Sequence, residues 1–399
     1  MQHFDVVILG AGPAGAATAL ALRKSHPHLS SVMVEAGDFQ AMRMGEILTA
    51  ESMTVLKQLD VFDSFMDLQH PCVSAHSRCW GSPSTAQQTF DGGAPSGGWH
   101  IDRARFDGML AGVAAASGVG FIRASVSSAQ LDSAGLFWNI TALSSIATHR
   151  LKATFVVDAT GRSARFASQI GVAQAAHDTL VGLVRVFEAD HISPANGCPL
   201  IEACEYGWWY SARLPGKRLV IAAMTDADIS KRLQLTEFAQ WKEHLECAPQ
   251  TRQRLADAAE KGDLHVRAAN TRSLYNCSGK NWLAVGDAAA SVDPLCASGI
   301  ARALRFGIHA SDAIGAQFKG DLPNLDIYEA LVQAEFQRYL KQRVEDYRKE
   351  LRWENSPFWI RRHTAPIISM TTIPDRRSTL SVAQGPANSS CAVPPASIR

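Results

Sequence analysis

The sequence is short of three features: long apolar runs, a surplus of charge and paired cysteines. No uninterrupted apolar stretch reaches the ~20 residues that a membrane-spanning helix needs, so we expect no membrane association. Lysine and arginine number 39 against 38 aspartates and glutamates, and a net charge of +1 gives no electrostatic reason to expect nucleic acid as a partner. The eight cysteines include no C-x-x-C pair, which argues against a disulfide framework and a zinc site, so we expect no bound metal.

Length and apolar content place the chain among globular proteins with a substantial core. It has 399 residues, of which 46% are hydrophobic, enough for one large domain or two interleaved ones. The first strand is expected from about residue 3, which leaves no room for a signal peptide. The expected location is therefore cytoplasmic.

A glycine motif follows the first apolar segment. Residues 4–15 read FDVVILGAGPAG, an apolar strand that runs into G-x-G-x-x-G and then into an alanine-rich helix. Gly10 permits the tight turn, Gly12 lets the backbone approach a diphosphate, and Gly15 lets helix and strand pack closely. The helix that begins near Pro13 directs unpaired N–H groups and its positive dipole end toward the phosphates. The pattern predicts a dinucleotide site.

Two acidic residues indicate which dinucleotide is bound. Glu35 ends the second apolar strand twenty residues after Gly15, where it can accept hydrogen bonds from the adenosine ribose. Asp287 follows Gly286 at the end of a later strand, and this pair is similar to the second sequence motif of FAD proteins, whose aspartate bonds the ribityl chain. A helix N-cap is the alternative interpretation of Asp287. With the first motif present, FAD binding is favoured.

The helix expected from about Ser298 or Gly299 supports the same interpretation. Its N-terminal dipole would be directed at the pyrimidine end of the flavin, which gains negative charge on reduction.

The order of segments predicts an α/β (α+β) fold. It combines a Rossmann-like FAD-binding domain, of the glutathione-reductase or p-hydroxybenzoate-hydroxylase type, with an inserted antiparallel-sheet substrate domain. The insertion is expected because segments 180–190, 201–212 and 218–225 are rich in β-branched and aromatic residues. The predicted division is an FAD-binding domain of 1–70, 97–165 and 264–320, a substrate domain of 71–96 and 166–263, a C-terminal helical region of 321–375, and a loosely ordered tail of 376–399.

Further motifs resemble those of the flavin-dependent tryptophan halogenases and their relatives. Residues 42–48 (MRMGEIL) resemble the strap that contacts the flavin, and 98–107 (GWHIDRARFD) resemble a segment whose arginine heads a helix near the cofactor. Segments 158–162 and 352–362 fit the same group, and the resemblance covers roughly residues 3–365. Together with the glycine motifs it implies FAD contacts at Gly10, Gly12, Pro13, Ala14, Gly15, Glu35, Ala36, Arg43, Gly45, Glu46, Arg103, Asp158, Gly161, Gly286, Asp287, Pro294, Ser298, Gly299 and Ile300.

Two departures separate the chain from the halogenases. Halogenases carry a lysine that passes on the hypohalous species, but residues 75–82 (AHSRCWGS) contain none, and alignment on Trp80 puts His76 in its place. The halogenase W-x-W-x-I-P motif is also broken, since residues 207–215 read GWWYSARLP. This stretch more resembles the halogenase-like flavoproteins that mature tryptophylquinone enzymes, including those serving lysine ε-oxidase, glycine oxidase and quinohemoprotein amine dehydrogenase.

That resemblance implies an FAD-dependent monooxygenase that hydroxylates a tryptophan of a partner protein during biogenesis of a tryptophylquinone cofactor. The implied co-substrate is O2, and NAD(P)H or a separate reductase would supply the electrons. His76 would donate a proton. Trp209, with Trp208 and Tyr210, would line the pocket and stack on the substrate. An ordinary histidine and a buried aromatic strand are the alternative interpretations.

Other functions share the same motifs. A small-molecule aromatic hydroxylase or a divergent halogenase would keep the fold and the oxygen chemistry. A reductase of the geranylgeranyl type would keep the FAD motifs and the Gly-Glu strap but saturate double bonds. A GDI-like binding protein would have lost the flavin, and the intact glycine motif and Asp287 count against it.

Overall fold

The computed structural model describes residues 1–73, 75–89, 97–189, 198–255, 262–321 and 324–364. The predicted tail, 376–399, lies outside the described residues, as do residues 365–375 of the predicted C-terminal helical region. The strands are β1 Gln2–Leu9, β2 Ser31–Glu35, β3 Ile47–Leu48, β4 Ala75–Cys79, β5 Ala86–Thr89, β6 Trp99–His100, β7 Gly120–Arg123, β8 Ser125–Leu131, β9 Trp138–Leu143, β10 Thr148–Asp158, β11 Gln174–Ala176, β12 Leu180–Glu188, β13 Leu200–Cys204, β14 Gly207–Leu214, β15 Arg218–Asp226, β16 Asp263–Ala268, β17 Arg272–Leu274, β18 Ser278–Gly279, β19 Trp282–Ala284 and β20 Ala290–Ser291. The helices are α1 Pro13–Ser25, α2 Ser52–Gln58, α3 Phe62–Met66, α4 Arg103–Ala116, α5 Arg165–Gln169, α6 Ala227–Arg232, α7 Phe238–Leu245, α8 Pro249–Leu255, α9 Gly299–Phe318, α10 Asn324–Arg348 and α11 Pro357–His363.

The first sheet has eight strands and carries the glycine motif. Its centre is the parallel order β7-β2-β1-β10-β19, with β18 antiparallel to β19 and the β8–β9 hairpin joined to β10. Residues Val6–Leu9 of β1 are almost fully buried, as expected for a central strand covered on both faces. Helices α1 and α9 pack together closely at Gly307. A Cβ atom at this position would lie only 2.5 Å from the Cβ of Ala17, so no larger residue fits there without a shift. The prediction of a Rossmann-like domain is confirmed.

The second sheet has seven strands in the order β16-β12-β15-β14-β13-β4-β5. The segments predicted to be extended form β12, β13, β14 and β15, which confirms an antiparallel sheet inserted in the chain. Within it, β4 pairs with β13 in parallel. That pair joins two segments far apart in the chain, so no tight hairpin imposes the antiparallel direction.

One strand belongs to a different sheet from its predicted group. The sequence predicts that residues 264–268 belong to the FAD-binding domain. In the structure these residues form most of β16, which pairs with β12 at the edge of the second sheet. The chain returns to the first sheet only at β18 and β19. Among the described helices, none is both long enough and apolar enough to cross a bilayer.

Candidate active site

A cavity of about 560 Å³ lies where the two sheets meet. Its volume is within the ~300–1,000 Å³ typical of small-molecule and cofactor sites. The wall is formed by the carboxyl ends of β1, β2 and β10, by the segment 43–47, by one face of the second sheet, and by residues 292–300. The predicted site residues that line it are Gly10, Gly12, Pro13, Ala14, Glu35, Ala36, Arg43, Gly45, Glu46, His76, Arg103, Gly161, Asp287, Pro294, Ser298, Gly299 and Ile300. Gly15, Asp158, Gly286 and Trp209 do not line it.

The N-terminus of α1 opens onto this cavity. The helix begins at Pro13, and Gly12 is its N-cap without a capping side chain. A Cβ atom on Gly12 would meet nothing nearer than the Nη1 of Arg43, at 3.6 Å, so a ligand can approach the backbone there. Free N–H groups and the positive end of a helix dipole suit a diphosphate. The residues present therefore fit the diphosphate of FAD.

Two predicted cofactor glycines act by packing and do not face the cavity. A Cβ atom on Gly15 would overlap the carbonyl oxygen of Gly10, which has a φ of +101°. A Cβ atom on Gly286, at a φ of +64°, would lie 2.7 Å from the Cβ of Ala14. Both positions let a strand end approach α1, which for Gly15 is the packing role that the glycine motif predicts. The expected direct contact of Gly15 and Gly286 with FAD is corrected, because neither residue lines the cavity.

Glu35 is held in a fixed orientation beside the cavity. Its Oε2 accepts a hydrogen bond from the backbone N–H of Ala11 at 2.8 Å, and its Oε1 accepts one from Gly37 at 2.8 Å. A carboxylate offers about four acceptor positions, so lone pairs remain for ribose hydroxyls. This geometry fits the predicted ribose contact.

Asp107 links two of the predicted arginines. It is fully buried, and its Oδ2 lies 3.1 Å from Nη1 of Arg43 and 2.9 Å from Nη2 of Arg103. Burial alone would lower the pKa of Arg103, but the charge and hydrogen bonds of Asp107 raise it, so the guanidinium stays charged. Asp107 is not among the residues predicted from the sequence, although its i,i+4 spacing from Arg103 on α4 is a signal for such a pair.

The Gly45–Glu46 strap lies against Arg103. Gly45 has a φ of +103°, and a Cβ atom there would come within 2.9 Å of Nη1 of Arg103 and 3.5 Å of Cδ1 of Ile300. Arg103 also donates to the carbonyl oxygen of Met44. The strap continues into β3, which pairs with β6, so both ends of this turn are fixed.

Asp158 supports the cavity wall from beneath. Its Oδ1 accepts hydrogen bonds from the backbone N–H of Thr160 at 3.0 Å and its hydroxyl at 2.6 Å, and its Oδ2 accepts one from Ala167 at 2.9 Å. The side chain is buried and does not reach the cavity. The expected FAD contact of Asp158 is corrected on this ground: it shapes the turn that presents Gly161.

Asp287 lines the cavity beside an arginine that the sequence analysis left unassigned. Nε of Arg162 lies 3.6 Å from Oδ2 of Asp287, and the same guanidinium donates to the carbonyl oxygens of Asn270 and Val292 at 2.8 and 2.5 Å. Arg162 therefore holds three segments of the cavity wall together.

The start of α9 forms another part of that wall. The helix begins at Gly299, and Ser298 makes no capping hydrogen bond with its side chain. Pro294, Ser298, Gly299 and Ile300 all line the cavity. The dipole of a 20-residue helix is thus directed at the cavity, and its predicted orientation toward the flavin stays a prediction.

Strand β14 presents two aromatic side chains to the cavity and hides a third. Successive side chains of a strand point to opposite faces, so Trp208 and Tyr210 line the cavity while Trp209 does not. Trp209 is fully buried on the far face of the sheet, with its ring 5.0 Å from that of Trp241. The prediction of Trp209 as a catalytic residue is wrong for this reason.

His76 lies on β4 and lines the cavity next to Arg78. Burial lowers the pKa of His76, and the positive charge of Arg78 lowers it further. The imidazole is therefore neutral at pH 7, which makes it a poor proton donor.

A hydrogen-bonded chain that the sequence did not reveal lies behind Trp208. Its Nε1 donates to the hydroxyl of Tyr347 at 3.1 Å, and that hydroxyl donates to Oδ2 of Asp293 at 2.7 Å. Burial raises the pKa of Asp293, whereas the charge of Arg343 opposes this. These two hydrogen bonds join the second sheet to the loop that precedes α9. Among the described residues, no group of three or more histidine, cysteine or acidic side chains is arranged to hold a metal ion.

Comparison with known proteins agrees with this architecture. The tryptophan halogenase family profile matches residues 67–373. LodB of Marinomonas mediterranea, a protein assigned as an FAD-dependent oxidoreductase, is 28% identical over 372 residues, which cover 91% of this chain and 98% of LodB.

Two solved structures share the fold. The myxobacterial chondrochloren halogenase CndH superimposes with a TM-score of 0.81 at 22% identity, covering 91% of this chain and 86% of that chain. The peptidyl tryptophan dihydroxylase QhpG superimposes with a TM-score of 0.75 at 23% identity, covering 93% of this chain and 81% of that chain.

Proposed function

The chain belongs to the tryptophan halogenase family, and we propose that its own reaction is hydroxylation of a tryptophan side chain in a partner protein. As a member of this family it is an FAD-dependent oxidoreductase. The hydroxylation would serve the biogenesis of a tryptophylquinone cofactor, and the partner would be the precursor of the enzyme that carries this cofactor. Support comes from likeness to LodB over almost its whole length and from the shared fold of QhpG, a protein essential for tryptophylquinone cofactor biogenesis.

One observation carries the choice of hydroxylation over halogenation. Among the described residues that line the cavity there is no lysine, the residue that passes on the hypohalous species in halogenases. The strand expected to supply it, β4, presents His76 and Arg78 to the cavity. An imidazole whose pKa is lowered by burial and a planar guanidinium are unlike the amine that such a transfer needs.

The residues that would hold FAD follow from the geometry of the cavity. Gly12 and the start of α1 would bind the diphosphate, with Arg43 beside them. Glu35 would bind the ribose, Asp287 the ribityl chain, and the N-terminus of α9 would face the pyrimidine end of the flavin. When bound and reduced by NAD(P)H or a separate reductase, FAD supplies the electrons for activating O2.

The second sheet would hold the indole. Trp208 and Tyr210 offer aromatic surfaces for stacking, and Val184 and Ile201 add aliphatic wall. Such a lining excludes water and orients the ring, which is what the protein must contribute to oxygen transfer.

Co-expression of this chain with the precursor of a tryptophylquinone enzyme tests the proposal. Mass spectrometry of the precursor should find added oxygen on a tryptophan-containing peptide. The matched control is Gly12→Val, which should leave the precursor unmodified because it lacks FAD. A precursor that never gains oxygen, or that gains halogen when bromide is supplied, would contradict the proposal.

A further inference from the structure

We propose that Glu46 gives and takes the protons of the hydroxylation, with the phenol of Tyr210 as its partner. This inference rests on the proposed function, because it assigns a role within that reaction. The role had been expected of His76, and Glu46 had been expected only to contact the flavin.

Glu46 is a buried acid inside the cavity. Only 4% of the surface of Glu46 is exposed, and the residue is part of the cavity lining. Its Oε1 accepts no hydrogen bond from any described residue. The backbone around it is fixed, since its carbonyl oxygen accepts the N–H of Ile101 at 2.7 Å and the next two residues form β3. Glu46 is thus a firmly placed acid at the wall of the cavity, and one of its buried oxygens has no hydrogen-bond partner among the described residues.

Two side chains face this carboxyl from neighbouring elements. Arg103 approaches from α4, but its guanidinium is already bonded to Asp107 at 2.9 and 3.0 Å. Tyr210 approaches from β14, and its ring lines the cavity. The carboxyl thus has a phenol beside it and a cation that also pairs with Asp107, an acid that Arg103 shares with Arg43.

The protonation states follow from these surroundings. Burial raises the pKa of Glu46, while the backbone N–H groups of Glu46 and Gly45 and the charge of Arg103 oppose the rise. Burial and the charge of Glu46 raise the pKa of Tyr210 well above its ordinary value. The phenol therefore keeps its proton and can stabilise the Glu46 carboxylate whenever it forms.

A carboxyl that cycles between its two forms satisfies the proton balance of hydroxylation. The net reaction joins the substrate C–H, O2, two electrons and two protons to give C–OH and water, and the reductant and the solvent supply the electrons and these two net protons. The oxygen atom that is not transferred needs a proton to leave as water, and the Glu46 carboxyl supplies it. The attacked ring carbon later loses its own proton, whose bonding electrons restore the aromatic ring, and the Glu46 carboxylate accepts it. Glu46 ends as it began.

His76 fits this cycle less well. Its pKa is lowered by burial and by Arg78, so it begins the cycle without the proton that must be given. Burial acts on Glu46 in the opposite sense, since it raises the pKa of the carboxyl and favours the form that holds a proton.

Infrared spectroscopy of the purified, FAD-containing protein tests the inference without a substrate. At pH 7 the wild type should show the carbonyl band of a protonated carboxylic acid, and Glu46→Gln should lose it. Tyr210→Phe should shift the band, because the partner of the carboxyl is removed. The controls are Glu51→Gln and Tyr275→Phe, which alter exposed residues and should leave the band unchanged. Identical carboxyl bands in the wild type and Glu46→Gln would overturn the inference.

A second arm measures the reaction on the co-expressed precursor. Glu46→Gln should slow oxygen addition by roughly 100-fold or more, while O2 is still consumed and released as hydrogen peroxide. Glu46→Asp should recover part of the rate, and the pH dependence assigned to this acid should vanish in Glu46→Gln. Should Glu46→Gln fail to retain FAD, the same measurements on Tyr210→Phe decide: a wild-type band and rate would refute the pairing.

The two arms separate the two proposals. A wild type that adds no oxygen to the precursor refutes the proposed function, and the infrared result still decides whether Glu46 is a protonated acid. A Glu46→Gln enzyme that hydroxylates at the wild-type rate refutes only the role of Glu46.

Discussion

The indole N–H of Trp208 donates to the hydroxyl of Tyr347 at 3.1 Å, across 139 residues of sequence. Tyr347 lies on α10, and its hydroxyl donates a hydrogen bond to Asp293, which lies in the part of the cavity wall that leads into α9. A wall that would contact the substrate is thereby joined to a wall that would contact the cofactor. A substitution at Tyr347 should therefore affect both walls of the cavity.

Tyr347→Phe should destabilise the fold. The substitution keeps the ring but leaves the buried Asp293 carboxyl and the Trp208 N–H each short of a partner. Loss of a partner for a buried polar group costs about 1–3 kcal/mol. Urea unfolding should show this decrease, whereas Tyr275→Phe, at a 54% exposed position, should unfold like the wild type. Equal stability of the two variants would argue that the hydrogen-bonded chain is unimportant.

Gly12→Val and Gly15→Val should fail in different ways. At Gly12 the nearest atom to a new Cβ is 3.6 Å away, so the variant should fold but hold at least ~10-fold less FAD because the diphosphate cannot approach. At Gly15 a new Cβ overlaps the backbone of Gly10, so the variant should not reach the native fold. Circular dichroism and the flavin absorbance of the purified proteins check both. A yellow Gly12→Val protein would contradict the cofactor site.

Substitutions at Trp208 and Trp209 should differ in their main effect, which is on catalysis at Trp208 and on stability at Trp209. Trp209→Ala empties a site on the far face of the sheet and should cost about 3–5 kcal/mol in unfolding free energy. Trp208→Phe removes the hydrogen bond to Tyr347 but keeps an aromatic ring, so it should cost only about 0.5–1.5 kcal/mol of stability. It should nevertheless reduce precursor hydroxylation roughly 10-fold or more, since the substrate indole is held less well. Denaturant unfolding and mass spectrometry of the precursor measure the two effects. Reversed results would place Trp209 at the substrate after all.

Asp107→Asn should weaken both the fold and the cofactor site. The buried carboxylate is the shared partner of Arg43 and Arg103, and removing one side of such a buried cluster costs about 3–5 kcal/mol. FAD should also be held less tightly, because both guanidiniums lose their orientation. Thermal unfolding and FAD titration measure these losses, and Asp67→Asn on the exposed end of α3 serves as the control. Unchanged FAD affinity would show that the cluster of Arg43, Arg103 and Asp107 does not contribute to FAD binding.

His70 should make stability depend on pH in the acid range. Burial lowers the pKa of His70 to about 4, and the charge of Arg105 contributes. The backbone N–H of Asp102 donates to Nδ1, which needs an unprotonated ring. The unfolded chain binds this proton below pH ~6.5 and the folded chain only below pH ~4, so stability is lost as pH falls across that window, by on the order of 3 kcal/mol.

Stability measured from pH 7 to pH 4 checks this dependence. His70→Gln should reduce the loss relative to the wild type, and the exposed His28→Gln should not. Parallel pH dependences for the wild type and His70→Gln would contradict the assignment.

Much of the cofactor half was predictable from short stretches of sequence. Gly10, Gly12 and Glu35 lie where the glycine motif predicts, because a strand, a tight turn and a helix form from consecutive residues. Asp287 was predictable in the same way. The Arg103–Asp107 pair was within reach too, since residues four apart on a helix are neighbours.

The substrate half depended on contacts that no local pattern contains. Alternation along β14 implies that Trp208 and Trp209 face opposite ways, but not which one faces the cavity. That choice follows from how the second sheet packs over the first, with Trp241 covering one face. Equally, the residues near Glu46 in sequence do not indicate that Tyr210 is its neighbour, because Tyr210 lies on a strand more than 160 residues later.

The sequence by itself determined the FAD motifs, the parallel sheet that carries them and the family resemblance, because these depend on periodicity, backbone conformation and residues close along the chain. Only the tertiary structure decided which aromatic residues line the cavity, which acid lies buried inside it, and how Tyr347 joins its two walls. Burial and pairing between distant segments set the charge states of Glu46 and His76, and these arise only when the chain has folded.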